Sequence, residues 1–309
     1  MANSLKTVAP PTSLGRRYAK LCDLPDFDES LRERIRDIVP GLDPEAELHR
    51  KNWEFALLTS FLEEVGLGDE LQILSVGAGH EEVLFWLANR AGRVVATDIY
   101  GEGEFGEREA EATMLGEPAA FAPYPYREDR LEVASMDARA LEFPDESFDA
   151  VFTLSSIEHF GSSKDVSRAA AEIGRVLRPG GHAFIVTECF VAPTLLDSRL
   201  VQTVGRFASF GRFWAKASLR RRTIDVFTAT EIERWIVAPS GLRLLQPIDR
   251  TVSEESWVNV IELRGNEVDA SASRPFPHVL IRARTAFGPL DVSTGVWTSV
   301  ALPLQKPSE

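Results

Sequence analysis

The sequence predicts an α/β fold in which a doubly wound, mostly parallel β-sheet lies between layers of helices. Strand-like and helix-like segments alternate from residue 71 to residue 188, which is typical of parallel sheets with helical crossovers. The strands are near-continuous apolar runs, as at residues 150–154, and such runs suit strands buried on both faces. A glycine turn, Gly77 and Gly79, follows the first of these strands, at the edge where such sheets bind ligands.

The N-terminal part is predicted to be a loose tail over residues 1–15 followed by two helices. Residues 28–39 carry apolar side chains at helical spacing and end at Pro40 and Gly41. The second helix is predicted to begin at Asp43, an N-cap before a proline at the first helical position, and to run toward Gly66.

The remaining elements follow from apolar patterning and turn residues. The predicted strands of the core are 71–76, 93–98, 131–135, 150–154 and 182–187, with helices at 82–90 and 165–177. After a break in the alternation, a helix is predicted at 228–236 and extended segments at 242–245, 258–263, 279–284 and 296–304. The chain divides accordingly into an N-terminal tail and helix (1–42), a ligand-binding core (43–189), a helical lid insertion (190–226) and a C-terminal part of the same fold (227–309).

Composition limits the class of protein and of partner. The chain has 309 residues, of which 44% are hydrophobic, and a formal charge of -13. This charge argues against a nucleic-acid partner, because phosphate neutralisation needs a basic surface. Two cysteines, Cys22 and Cys189, cannot form a disulfide framework, and no Cys/His spacing matches a zinc site. We therefore name no metal ligands and expect a reducing, cytoplasmic location. No stretch of 18 apolar residues predicts a membrane span.

The glycine turn predicts a nucleoside site. Its two glycines permit a sharp turn and close approach of a ligand, and Asp98, at the end of the next strand, can accept hydrogen bonds from ribose hydroxyls. Glu81 and Glu82 follow the turn and would repel a dinucleotide pyrophosphate at the helix N-terminus. S-adenosylmethionine, with its sulfonium and ammonium, is compatible with this acidic turn, and we favour it over NAD.

Four motifs in order resemble those of the class I S-adenosylmethionine-dependent methyltransferases, type 11. They are LSVGAG at 74–79, VATD at 95–98, MDA at 136–138 and FDAVFTLSSIEH at 148–159, and EIGRVLRPGG at 172–181 adds a fifth. The resemblance covers residues 50–188 well and 223–304 loosely. It implies a Rossmann-like fold with a seven-stranded sheet, N-terminal helices and S-adenosylmethionine as the cofactor.

The resemblance also implies residue roles. The methionine part of the cofactor would lie against Gly77, Ala78 and Gly79, and Asp98 would bind the ribose. Ile99 and Tyr100 would flank the adenosine, and Asp137 would contact the adenine amino group with Ala138 behind the ring. The sulfonium would lie near Leu154 and Ser155. Two residues depart from the family pattern: Ser75 stands where many relatives have an acidic residue, and Glu81 where a third glycine is usual. These departures leave open a catalytically inactive regulator that binds the cofactor.

Candidate catalytic residues lie at the carboxyl ends of the fourth and fifth predicted strands. Methyl transfer to an alcohol needs a base within hydrogen-bond reach, and Glu158 and His159 follow the fourth strand. An imidazole with an ordinary pKa of about 6.5 is a base near neutrality. Glu188 is the second candidate base. The alternative for His159 is a packing role beside the cofactor.

The predicted lid is basic and amphipathic. Residues 190–226 contain seven Lys or Arg against two Asp, with apolar residues at intervals of three and four. Arg220, Arg221 and Arg222 are candidate ligands of a phosphorylated acceptor, and residues 194–222 could instead contact an anionic membrane surface. A solvated helix face is the alternative.

The remaining resemblance concerns the acceptor. SSIEHFG at 155–161, DIY at 98–100 and WTS at 297–299 are similar to segments of methyltransferases of glycan and glycolipid assembly. The sequence therefore predicts O-methylation of a sugar or another small hydroxylated metabolite, including a phosphorylated or lipid-linked glycan. N- or C-methylation of a small metabolite, the inactive regulator and NAD-dependent oxidoreduction are the alternatives.

Overall fold

The computed structural model describes residues 14–43, 48–103, 105–194, 197, 225–264, 267–268, 277–287 and 290–308. Within these ranges, twelve strands form one mixed sheet. The strands are β1 (Lys20–Leu21), β2 (Gln72–Val76), β3 (Arg93–Asp98), β4 (Leu131–Ser135), β5 (Phe148–Leu154), β6 (Leu177–Ala192), β7 (Arg243–Leu244), β8 (Ile261–Arg264), β9 (Glu267–Val268), β10 (Ile281–Phe287), β11 (Leu290–Ser293) and β12 (Val296–Gln305). The helices are α1 (Glu29–Ile38), α2 (Arg50–Val65), α3 (Glu82–Ala88), α4 (Ser163–Val176), α5 (Ala229–Ile232), α6 (Ala238–Ser240) and α7 (Glu254–Val258), and a π-helical turn (Glu233–Val237) joins α5 to α6.

The sheet has a parallel half and a mixed half. Strands β4, β3, β2, β5 and β6 are neighbours in that order and run parallel. Strand β12 lies antiparallel to β6 over ten residue pairs and continues the sheet into β10, β8 and β9. The predicted α/β class is confirmed, but the predicted seven strands are too few. The C-terminal segments extend the same sheet, and short strands such as β1 and β7 pair with β12.

Two apolar clusters pack on opposite faces of the sheet. Alternate residues of a strand point to opposite faces, so Ile73 belongs to the cluster with α1, α2 and α3, and Leu74 belongs to the cluster with α4 and α5. Helix α2 is buried over residues 52–59, and its one charged residue in this stretch, Glu54, is therefore surrounded by protein.

Two predicted elements have wrong boundaries. Helix α2 begins at Arg50 and not near Asp43, because His49 is its N-cap and pairs with His278 in an isolated bridge. Strand β6 begins at Leu177 and includes Pro179, because Gly180 and Gly181 exchange backbone hydrogen bonds with Lys306. It continues to Ala192, beyond the predicted end of the core.

The predicted helical lid falls almost wholly outside the described residues. Of residues 190–226, the structure describes 190–194, 197, 225 and 226. Arg220, Arg221 and Arg222 are outside the described ranges. Among the helices that the structure describes, none is long and apolar enough to cross a membrane.

Candidate active site

A cavity of about 1360 Å³ lies at the carboxyl ends of the parallel strands. Its wall combines residues from the turn after β2, the loops after β3, β4 and β5, and helix α2. Of the predicted site residues, Gly77, Gly79, Asp98, Ile99, Asp137, Ala138, Ser155, Glu158 and His159 line it. The fold therefore brings together residues that are up to 82 positions apart in sequence, from Gly77 to His159.

The turn after β2 requires glycine at two positions. Gly77 and Gly79 have φ angles of 69° and 49°, a region that favours glycine. A Cβ atom on Gly77 would lie 2.7 Å from the Cβ of Ser156, and one on Gly79 would lie 2.4 Å from the carbonyl oxygen of Glu109. The turn can therefore pack against Ser156 and Glu109 only because these two positions have no side chain.

Asp98 is held at the cavity wall by the turn itself. Its Oδ2 accepts a hydrogen bond from the backbone N–H of Gly79 at 2.9 Å, and its Oδ1 accepts one from Ile99 at 2.8 Å. Burial raises the pKa of this carboxyl. Each oxygen keeps a lone pair, so Asp98 can accept from two further donors such as ribose hydroxyls.

Three predicted cofactor residues do not line the cavity. The side chains of Ala78, Tyr100 and Leu154 are 1%, 4% and 1% exposed. Tyr100 supports the turn from inside, because its hydroxyl donates to the carbonyl oxygen of Gly79 at 2.8 Å. The Tyr100 side chain therefore does not reach the cavity, and the position of Tyr100 beside the adenosine stays a prediction.

Asp137 reaches the cavity with a partner that sequence reasoning missed. The Arg139 guanidinium donates hydrogen bonds to both carboxylate oxygens of Asp137, from Nε to Oδ1 at 2.8 Å and from Nη2 to Oδ2 at 2.7 Å. These hydrogen bonds lower the pKa of Asp137. Its assignment to the adenine amino group stays a prediction, and that contact would have to be shared with Arg139.

His159 is paired with a carboxylate on the cavity wall. Its Nδ1 lies 3.5 Å from Oδ2 of Asp225, and the ring of Phe105 packs at 4.9 Å between centroids. Burial disfavours protonation of this imidazole, but the hydrogen bond with Asp225 and the charges of Glu158 and Asp225 outweigh burial and raise its pKa to about 9. The expected ordinary pKa of His159 is therefore wrong, because Asp225 lies 66 positions away in sequence.

Glu158 is a buried carboxyl with one free oxygen. The residue is 2% exposed, and its Oε2 accepts a hydrogen bond from Thr187 at 2.9 Å. Its Oε1 has no hydrogen-bond partner within the described part of the chain. Burial raises the pKa of Glu158 to about 7, so it can exchange a proton near neutrality.

Glu188, predicted as a second base, is not in the cavity wall. It forms an ion pair with Arg50, the first residue of α2. The predicted catalytic role of Glu188 is therefore not supported.

Helix α2 brings two further charged residues that sequence reasoning missed. The Lys51 ammonium donates to the carbonyl oxygen of Leu154 at 2.8 Å, forms an ion pair with Glu81, and lies 3.5 Å from Glu54 Oε2. Glu54 is 1% exposed, and its Oε1 accepts from the hydroxyls of Ser155 at 2.7 Å and Ser299 at 2.6 Å. The available signal was a run of charges on a helix that is otherwise strongly apolar.

The site was compared with known proteins. A family model described as "Methyltransferase domain" matches residues 74–185. The 27-O-demethylrifamycin SV methyltransferase of Amycolatopsis mediterranei (strain S699) is 30% identical over 293 residues, which span 90% of this chain and 98% of that protein. The chain belongs to the class I, type 11 S-adenosylmethionine-dependent methyltransferases.

Two more distant similarities accompany this match. Methyltransferase GfsG of Streptomyces halstedii is 27% identical to this chain over 216 residues, which span 70% of this chain and 66% of GfsG. The YcgJ protein from Bacillus subtilis superimposes with a TM-score of 0.47 at 17% identity, covering 82% of this chain and 98% of that chain.

The residues of the cavity fit the cofactor of this family, S-adenosylmethionine. The glycine turn forms part of the cavity wall, Asp98 offers acceptors for ribose, and the wall holds several carboxylates beside Lys51. When bound, the cofactor supplies an electrophilic methyl group on a positively charged sulfur. The family and the fitting site identify an enzyme and exclude NAD-dependent oxidoreduction as its activity.

Proposed function

We propose that this enzyme methylates a hydroxyl oxygen of a small-molecule acceptor and that His159 takes the hydroxyl proton. The His159 and Asp225 pair carries the proposal, because it lies on the wall of the same cavity as the glycine turn and Asp98. An alcohol becomes a better nucleophile when a base removes its proton during attack. Nothing comparable is needed for an amine that is already neutral.

The geometry of the pair suits proton transfer. Asp225 lies beside Nδ1 of His159, which leaves Nε2 to face an acceptor. The pKa of about 9 means that free His159 is mostly protonated at pH 7. Since a nearby positive charge lowers the pKa of an imidazole, the sulfonium in the same cavity favours the neutral form that acts as a base.

The size of the cavity and one relative support a hydroxylated acceptor. A volume of about 1360 Å³ exceeds the roughly 300–1,000 Å³ of usual small-molecule sites, so there is room for an acceptor beside the cofactor. The relative that is 30% identical is named for 27-O-demethylrifamycin SV, an acceptor methylated on oxygen. A sugar hydroxyl, indicated by the sequence motifs, shares this chemistry.

Some finer features of the proposal rest on sequence alone. These features are a phosphorylated or lipid-linked glycan as acceptor, its recognition by Arg220, Arg221 and Arg222, and membrane contact through residues 194–222. Apart from residues 194 and 197, these residues lie outside the described ranges. The cytoplasmic location also stays a prediction.

The experiment has two parts. Transfer of a labelled methyl group is measured on nucleotide sugars, glycolipid extracts and 27-O-demethylrifamycin SV, and the methylated atom is identified by mass spectrometry and NMR. With the acceptor found, His159→Gln is expected to lower kcat about 100-fold or more while affinity for S-adenosylhomocysteine stays within about twofold. His182→Gln is the control, because His182 packs edge-on against Phe61 and is not in the cavity wall.

Two outcomes contradict the proposal. An N-methylated or C-methylated product would show that the acceptor atom is not a hydroxyl oxygen. Unchanged kcat in His159→Gln would show that His159 is not the base.

A further inference from the structure

We propose that Lys51 and Glu81 bind the amino-acid end of S-adenosylmethionine, with Glu81 taking the ammonium and Lys51 the carboxylate. The pair would replace the acidic side chain that is missing at Ser75. This inference rests on the cofactor and does not depend on which acceptor is methylated.

Ser75 does not reach the cavity. It lies inside β2, is 1% exposed, and pairs through its backbone with neighbouring strands on both sides. Glu81 stands six residues later, next to the glycine turn, and lines the cavity. The two departures from the family pattern are therefore connected, because a carboxylate is lost at one position and is present at another that faces the ligand space.

An ammonium group already occupies this part of the cavity wall. Lys51 Nζ is held by the carbonyl oxygen of Leu154 at 2.8 Å, by Glu81, and by Glu54 Oε2 at 3.5 Å. These acceptors come from the end of β5, the N-terminus of α3 and helix α2. A ligand ammonium needs the same acceptors, so it competes with Lys51 for them.

A ligand with both charges can make this exchange without leaving a buried charge unpaired. Its ammonium takes the place of Lys51 on Glu81, and its carboxylate gives Lys51 a new partner. Unpaired charges in a partly desolvated site are costly, whereas charge-assisted hydrogen bonds are strong. A ligand that has the ammonium but no carboxylate would leave the Lys51 ammonium without an ion-pair partner. The pair thus selects for the complete amino-acid end.

Calorimetric titration with three ligands tests the proposal without any acceptor. S-adenosylmethionine has both charges, its decarboxylated form keeps only the ammonium, and 5′-methylthioadenosine lacks the amino-acid end. Lys51→Met is expected to weaken binding of S-adenosylmethionine at least about tenfold and to leave 5′-methylthioadenosine within about twofold. The decarboxylated form should bind this variant as tightly as the wild type or more tightly, because the competing ammonium is gone.

Glu81→Gln is expected to weaken both ligands that carry an ammonium, again with 5′-methylthioadenosine unchanged. Glu82→Gln is the matched control, because Glu82 lines the same cavity but forms no salt bridge within the described residues. Equal losses of affinity for all three ligands in Lys51→Met would overturn the proposal and indicate that the Lys51–Glu81 ion pair has only a structural role. So would unchanged affinity for S-adenosylmethionine in either variant, or equal effects of Glu81→Gln and Glu82→Gln.

Discussion

Replacing Asp225 with asparagine is expected to lower the pKa of His159 from about 9 toward its ordinary value near 6.5. The carboxylate of Asp225 lies 3.5 Å from Nδ1 and stabilises the protonated ring. An asparagine side chain keeps the shape and removes the charge. The pH dependence of His159 therefore reports directly on this pair.

The expected size follows from the two pKa values. They differ by about 2.5, and each pKa unit corresponds to 1.36 kcal/mol, which gives an upper limit of about 3 kcal/mol. About a third of each side chain is exposed, so solvent screening reduces the contribution to roughly 1–2 kcal/mol.

The sign of the effect on stability follows from the raised pKa. A group whose folded pKa is raised stabilises the folded state fully below its unfolded value near 6.5, and this contribution is lost as pH rises through about 9. Asp225→Asn should therefore lower the free energy of unfolding by about 1–2 kcal/mol at pH 6 and by clearly less at pH 10.

Two measurements check this prediction. Urea denaturation at pH 6 and pH 10 gives the free energy of unfolding, and NMR titration gives the pKa of His159. Burial raises the pKa of Glu158 to about 7, and its charge is coupled to that of His159, so the comparison is repeated in a background that lacks the imidazole. In a His159→Gln background, Asp225→Asn should lose the pH-dependent effect. The reasoning is refuted if His159 titrates alike in wild type and Asp225→Asn.

Two further predictions concern the cofactor turn and its carboxylate. Gly79→Ala should weaken binding of S-adenosylhomocysteine and lower the Tm, because its Cβ would meet the Glu109 carbonyl oxygen at 2.4 Å with φ at 49°; an unchanged Tm and affinity would contradict the close packing. Asp98→Ala should weaken the same ligand about tenfold or more in calorimetry, whereas Asp137→Ala should cost less because Arg139 already holds that carboxylate; equal losses would show that Arg139 leaves Asp137 during binding.

The parallel half of the fold was predictable from local sequence. Apolar runs identified β2, β3 and β5 close to their observed bounds, because strands buried on both faces need continuous apolar residues. Strand β4 was also placed at its observed bounds, although it is only partly buried. The mixed half was less predictable. Strand β12 was recognised as an extended segment, but its pairing with β6 depends on contacts between distant residues.

The candidate site shows the same division. Gly77, Gly79 and Asp98 were predictable because a turn that needs positive φ and a carboxylate after the next strand leave a local signature. Glu188 was misassigned because nothing near it in sequence indicates Arg50, 138 positions away. Arg139 stands only two residues after Asp137, so the sequence carries a local signal for this ion pair.

Family, cofactor and the position of the glycine turn were determined by short segments whose chemistry is local. Tertiary structure decided which charged groups meet in the cavity. It placed Asp225 beside His159 and the N-terminus of helix α2 at the cavity, so that Lys51 reaches Glu81. Charge pairs and the pKa values that follow from them depend on distance and burial, and both are set only when the chain is folded.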